Sequence, residues 1–150
     1  MDISIRSYVL KITYNTNSRR VAQFGYQYSY DRSGLKKIDT IPTDLMELIE
    51  LNKIDFLKDD FEQLIINECL PGQGISAHID HPRQFGPIIV CITIGSDGIM
   101  NFEKGDLEVK LKVKEGSMYI MTGDSRYEWK HSFKNNSSKT RYSLTFRTIK

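Results

Sequence analysis

His78-Ile79-Asp80 sets an imidazole and a carboxylate two residues apart. On an extended strand that spacing projects both side chains to one face. One further imidazole would complete a facial set of two histidines and one carboxylate, which suits Fe(II) and leaves coordination positions open for other ligands. The chain has 3 histidines, His78, His81 and His131. His81 would fall on the face opposite Asp80, so His131 is the candidate third ligand. By itself the His-x-Asp triplet is a weak signal, because it also arises by chance beside a solvated turn such as the one near Gly74.

Arg141-Tyr142-Ser143-Leu144-Thr145-Phe146-Arg147 is the second constellation. Alternation puts Arg141, Ser143, Thr145 and Arg147 on one face and Tyr142, Leu144 and Phe146 on the other. Two arginines and two hydroxyls do not make an ordinary core face, since unpaired buried charge is costly. At roughly 3.3 Å per residue the two arginine Cα atoms stand about 20 Å apart, so their side chains can bracket a small dianion. A dicarboxylate of about five carbons fits, with a guanidinium forking onto its distal carboxylate. If this face met solvent instead, the arginines would simply extend into water.

These side chains need strands to carry them, and the chain supplies many. Phe24, Tyr26, Tyr28 and Tyr30 alternate with small or polar residues and predict one strand, followed by a turn at Asp31-Arg32-Ser33-Gly34. Pro42 and Thr43 open a helix with Asp44 and Glu47 in its first turn, where the helix dipole favours acids. Its apolar side is Leu45, Leu48, Ile49 and Ile54. From Phe61 onward the pattern is β. It runs through Leu64-Ile65-Ile66, a turn at Pro71-Gly72-Gln73-Gly74, and a buried run from Ile88 to Ile94 ending at Gly95-Ser96-Asp97-Gly98. Leu107, Val109, Leu111 and Val113 alternate with Glu108, Lys110, Lys112 and Lys114, which predicts a strand with one buried and one wet face. Residues 117–121, 128–133 and 141–149 add three more. Short strands at this spacing predict an α+β, β-rich sandwich or barrel of two sheets, with a helical layer from the N-terminal third outside it.

The 150 residues (17.4 kDa) fit a single domain, 1–150. With 39% hydrophobic and 27% charged residues there is material for a core and no compositional case for disorder. The net charge of +2 is too small to bind nucleic acid by bulk electrostatics, although the basic residues are concentrated after Glu103. Cys69 and Cys91 are too few for a disulfide scaffold. Met1-Asp2-Ile3-Ser4 does not begin a secretory leader, and the longest apolar run is far too short to cross a bilayer. The expectation is a soluble intracellular protein of cytoplasm or nucleus with no membrane partner. The sequence leaves its oligomeric state open.

Taken together, the His-x-Asp triplet, a distal histidine and an arginine about ten residues beyond it resemble the AlkB-like dioxygenases. The resemblance runs from about Phe24 to Arg147. It is carried by Asn67-Glu68-Cys69-Leu70-Pro71-Gly72-Gln73-Gly74-Ile75, His78-Ile79-Asp80, Gly123-Asp124-Ser125-Arg126-Tyr127 leading to His131, and Arg141 through Arg147. It implies a double-stranded β-helix (jelly roll) with a short substrate lid. It further implies Fe(II) held by His78, Asp80 and His131, with 2-oxoglutarate and O2 as cosubstrates. Arg141 would hold the distal carboxylate of 2-oxoglutarate, with Ser143 and Arg147 near the rest of it. Asn67 matches the first residue of the family's Asn-x-Tyr element, which also touches 2-oxoglutarate. Its third position here is Cys69 rather than Tyr, so a phenolic hydroxyl contact is absent. The Pro-Gly-Gln-Gly-Ile, Met100-Asn101-Phe102 and Thr122 to Tyr127 segments look most like the branch that hydroxylates a modified wobble uridine in tRNA. The chain length leaves room for neither the RNA-binding nor the methyltransferase domain of that branch.

The activity so implied is oxidative demethylation of N-alkylated bases in DNA or RNA, with no side chain needed as general acid or base. Stable hydroxylation of a modified tRNA uridine or of a protein side chain is the alternative within the class. A jelly-roll module that binds nucleic acid without catalysis is the alternative outside it. Phe24, Tyr26 and Tyr28, lying between Arg19-Arg20 and Arg32 with Lys36-Lys37 beyond, could stack a flipped base and hold phosphates, or could merely cover the core. Arg126 and Trp129 are further candidates on the substrate side. Cys91, in its apolar strand, reads as inert core.

Overall fold

Alternating side chains along β12 (Arg141–Ile149) decide how the domain is layered. In the computed structural model, which describes residues 12–15, 19–29, 34–51 and 61–150, β12 is an inner strand of a large antiparallel sheet. The other members are β1 (Ile12–Asn15), β2 (Arg20–Phe24), β5 (Gln63–Cys69), β7 (Phe85–Ile94) and β10 (Met118–Met121), in the order β1-β2-β5-β12-β7-β10. A four-stranded sheet, ordered β6-β11-β8-β9, comprises β6 (Gly74–His78), β8 (Gly98–Lys104), β9 (Leu107–Val113) and β11 (Lys130–Lys134). A hairpin of β3 (Tyr26–Ser29) and β4 (Gly34–Lys37) forms a third, two-stranded sheet. The architecture is the expected β-rich jelly roll.

Register explains where the core sits. Leu144 lies beside Ile66 and Ile92, and Phe146 beside Leu64 and Val90. These side chains form one apolar cluster on the outer face of the large sheet. Helix α1 (Thr43–Leu51) covers that face with Leu45, Leu48 and Ile49. Its start at Thr43 and its acidic first turn agree with the sequence pattern. Among the described residues this single helix stands where a helical layer was expected. Ile54, Tyr30 and residues 31–33 of the expected turn, Arg32 among them, lie outside the described residues.

Two expected strands differ in form. The aromatic row does not run straight from Phe24, because Gly25 breaks it between β2 and β3. Gly25 has φ 81°, and a Cβ there would fall 1.9 Å from the Glu62 carbonyl oxygen. Only glycine accepts both conditions. β9 does alternate, but Leu107, Val109 and Leu111 are exposed rather than buried on this edge strand of the small sheet. Helix α2 (Gly123–Tyr127) was not expected from the sequence; it begins after Thr122, whose carbonyl oxygen accepts a bond from Ser125 Oγ (2.7 Å). No helix among the described residues is long and apolar enough to cross a membrane.

Candidate active site

The inner face of the large sheet is polar, and it meets the small sheet across a cavity of about 290 Å³. Strands β5, β7, β10 and β12 line one side and β6, β8 and β11 the other. His78 ends β6 and pairs directly with His131 on β11. Their ring centroids are 4.3 Å apart. Asp80 is not on the strand, as strict alternation would have it, but in the loop just beyond. Its carboxylate still converges on both rings. Asp80 Oδ1 lies 3.1 Å from His78 Nε2 and 3.4 Å from His131 Nε2. The three donor atoms all lie within 4.8 Å of one another.

The surroundings prepare these atoms to hold a cation. His78 Nδ1 lies 2.8 Å from the Ser76 carbonyl oxygen, which fixes the ring and leaves Nε2 facing Asp80. Burial opposes charge on His78, but the hydrogen bond and charge of Asp80 outweigh it and raise its pKa. Burial would also raise Asp80. The Arg147 charge and the hydrogen bonds of His131 and His78 instead hold it well below the usual carboxylate range. Two nitrogens and an ionised carboxylate on one side of an open volume are the donor set that suits Fe(II).

Arg147 lines the cavity but is largely engaged by protein groups. Its Nη1 donates to Asp80 Oδ2 at 3.0 Å and its Nε to Gln63 Oε1 at 2.8 Å, with the guanidinium 3.6 Å above the Phe85 ring. The chain of bonds continues outward. Gln63 Nε2 donates to the Tyr26 carbonyl (3.1 Å) and to Gln23 Oε1 (3.2 Å), and Gln23 binds the backbone of Tyr28. Buried polar bonds thus join Asp80 to the β3–β4 hairpin.

Arg141 occupies the other end of β12. Its Nη2 donates to Thr93 Oγ1 at 3.0 Å, and its guanidinium stacks 3.9 Å above Phe133. Gly98 makes room for that ring, since a Cβ there would stand 2.5 Å from it. Arg141 Nε and Arg147 Nη2 are buried without a partner among the described residues. Such orphaned donors are what an incoming carboxylate would satisfy. Ser143 and Asn67 line the cavity, and Asn67 Oδ1 accepts from Arg19 Nε at 2.9 Å.

The candidate substrate residues separate. Tyr28 lines the cavity, with its ring 5.7 Å from Phe85 and 6.5 Å from His81. Tyr26 is half-buried on the same hairpin but is not among the cavity-lining residues. Phe24 is 3% exposed in the cluster beneath α1, because its register opposite Leu64 turns it to the outer face. Arg126 is 2% exposed and donates to the backbone carbonyls of Asp80, His81, Phe85 and Gly86, so it braces the loop carrying Asp80 rather than meeting substrate. Trp129 precedes β11 and is not among the cavity-lining residues. Sequence reasoning missed Gln63, Thr93 and Tyr119, and gave Arg19 only as one of several basic residues that could hold phosphates. The inward parity of their strands, shared with Asn67 and Ser143, was the available signal.

Residues 6–147 match the profile of the 2OG-Fe(II) oxygenase superfamily. The chain is 34% identical over 119 residues to "tRNA (carboxymethyluridine(34)-5-O)-methyltransferase ALKBH8" of Macaca fascicularis, covering 75% of this chain and 18% of that protein. It is 32% identical over 123 residues to "Uncharacterized protein L905" of Acanthamoeba polyphaga mimivirus, covering 73% of this chain and 59% of the other. The chain therefore spans less than two thirds of the length of either relative. Among solved structures, OsALKBH1 superposes with a TM-score of 0.70 at 14% identity, covering 87% of this chain and 78% of that one.

Proposed function

Since this chain belongs to the 2OG-Fe(II) oxygenase superfamily, and within it to the AlkB-like family, we propose that it oxidises an alkyl group on a nucleic-acid base. The reading rests on the meeting of His78 Nε2, His131 Nε2 and Asp80 Oδ1 at a cavity whose far wall carries Arg141. Bound there, Fe(II) with 2-oxoglutarate and O2 supplies C–H hydroxylation, with the keto acid leaving as succinate and CO2.

Everything else is the work of the protein's own groups. His78 and His131 give neutral nitrogens and Asp80 a negative oxygen. Arg147, on the other carboxylate oxygen, keeps Asp80 ionised and aimed. Arg141 takes the distal carboxylate of the cosubstrate, flanked by Asn67 and Ser143. Tyr28, on the hairpin, offers an aromatic face to an extruded base. No side chain has to move a proton in the oxidation. Where the oxidised carbon is bonded to nitrogen, the product is a hemiaminal that loses formaldehyde, and the base is dealkylated.

A second reading is stable hydroxylation of a modified tRNA uridine, at a carbon not bonded to nitrogen. The ALKBH8 relative is named for methyl transfer on carboxymethyluridine in tRNA, and that nucleoside favours this reading.

Anaerobic addition of Fe(II) and 2-oxoglutarate should give a weak visible charge-transfer band, absent in His78→Ala. Formaldehyde release from methylated DNA and RNA oligonucleotides then marks dealkylation, and a gain of one oxygen in tRNA marks stable hydroxylation. A wild-type protein with no band refutes the oxygenase and leaves a binding module.

A further inference from the structure

Tyr119 lies on β10, the edge strand of the large sheet, with its side chain on the inner face. Directly across β7 and then β12 stand Cys91 and Thr145, so the three form one row along the pleat. Their outward neighbours Met118 and Ile120 face the other way: Met118 packs on the outer apolar cluster and Ile120 is exposed. The Tyr119 ring meets Phe102 of the small sheet edge-on, with centroids 6.4 Å apart at 86°. It also packs against the cluster of Cys69, Met100, Val113 and Phe133. That cluster includes the ring on which Arg141 stacks.

A phenol enclosed in this way needs a hydrogen-bond partner. The Cys91 thiol faces the Tyr119 hydroxyl, but a thiol is a weak donor and a weak acceptor. Thr145 already turns its hydroxyl toward the same sulfur, at 3.8 Å. Burial, with the thiol adding to it, keeps the phenol well above its ordinary pKa, so it stays a donor. On the same cavity wall Arg141 holds an unpartnered Nε. Cys69, at the end of β5, brings no hydroxyl to this volume and is itself buried in the apolar cluster. The wall thus has a guanidinium, a phenolic O–H lacking a strong acceptor, and no acidic side chain among the cavity-lining residues except Asp80 at the opposite end.

We infer that Tyr119 donates its phenolic hydrogen bond to the distal carboxylate of the keto-diacid held by Arg141, supplying from β10 the hydroxyl that Cys69 does not supply from β5. The inference rests on the proposed oxygenase reading and assigns a cosubstrate-binding residue within that site.

The test is binding rather than turnover. Tyr119→Phe keeps the ring and its packing and removes only the hydroxyl. Calorimetric titration of 2-oxoglutarate into the Mn(II)-loaded protein should show affinity about 10- to 100-fold weaker than wild type, the range of one hydrogen bond to a charged group. Titration with 2-oxobutyrate, which keeps the keto acid but lacks the distal carboxylate, should show no difference between the two proteins. Equal affinity for 2-oxoglutarate within twofold overturns the inference and leaves the oxygenase reading intact. Equal losses for both acids also overturn it, because the hydroxyl would then serve packing. If Mn(II)-loaded wild type binds no 2-oxoglutarate at all, the oxygenase reading falls and this inference falls with it.

Discussion

Replacing Arg147 by Met keeps an apolar chain against Phe85 and removes the charge that faces Asp80. The two side chains are 6% and 4% exposed, and the N–O distance is 3.0 Å. At an effective dielectric of about 20 that separation corresponds to roughly 5.5 kcal/mol of attraction. Removing one partner of such a buried pair costs about 3–5 kcal/mol, because the other charge is left stranded. Urea unfolding at neutral pH with chelator present should show that loss. The pH dependence has a definite sign. Arg147 depresses the Asp80 pKa in the folded protein, so the stabilisation is complete above the ordinary value of 3.8 and is lost as pH falls through the folded value. The gap between wild type and variant should therefore be widest at neutral pH and narrow below pH 3.8. Saturating Mn(II) offers Asp80 another positive neighbour, so it should stabilise Arg147→Met more than it stabilises wild type. A loss below about 1 kcal/mol, or a gap indifferent to pH, would refute the reasoning and mean that Gln63 and Phe85 hold Arg147 by themselves.

Four other outcomes follow from the same geometry. Arg141→Lys keeps the charge but loses the fork and the Thr93 bond, and should weaken 2-oxoglutarate binding about tenfold or more with Mn(II) affinity unchanged in calorimetry. Arg126→Met removes the donor shared by four backbone carbonyls of the Asp80 loop and the start of β7 and should cost roughly 3 kcal/mol or more in urea unfolding. Because the folded His78 pKa is raised above 6.5, protons compete for its nitrogen, so Mn(II) affinity should fall as pH drops through that raised value, with measurable proton release on binding. Phe24→Ala should lose about 3–5 kcal/mol of stability while the affinities for Mn(II) and 2-oxoglutarate stay at wild-type values, as its place beneath α1 requires.

β12 was legible in full, from Arg141 to Ile149, because alternation of polar and apolar residues from Arg141 to Arg147 leaves one strand reading and fixes both faces. The two-histidine, one-carboxylate grouping was legible from residue type and parity, although Asp80 arrives from a loop. What failed depended on tertiary position. β9 alternates as cleanly as β12, but alternation does not say whether an apolar face will be covered, and Leu107, Val109 and Leu111 are exposed among the described residues. Phe24 shares a sequence pattern with Tyr28, but the Gly25 bend separates their destinations. Arg126 reads as a surface cation until four backbone carbonyls from a loop some 40 residues earlier are seen to surround it. Tyr119 gave no sign of sharing a cavity with Arg141, since β10 and β12 are brought together only through β7.

The pleat of the large sheet separates two kinds of selection. Along β12, Tyr142, Leu144 and Phe146 belong to the packing beneath the helix, while Arg141, Ser143, Thr145 and Arg147 belong to the reaction chamber. Evolution can therefore revise the chamber position by position, trading one reagent or target for another, while the material that keeps the chain folded is untouched. The same parity makes insertions and deletions unforgiving: a shift of one residue would send guanidinium groups under the helix and aliphatic groups into the cavity in a single step.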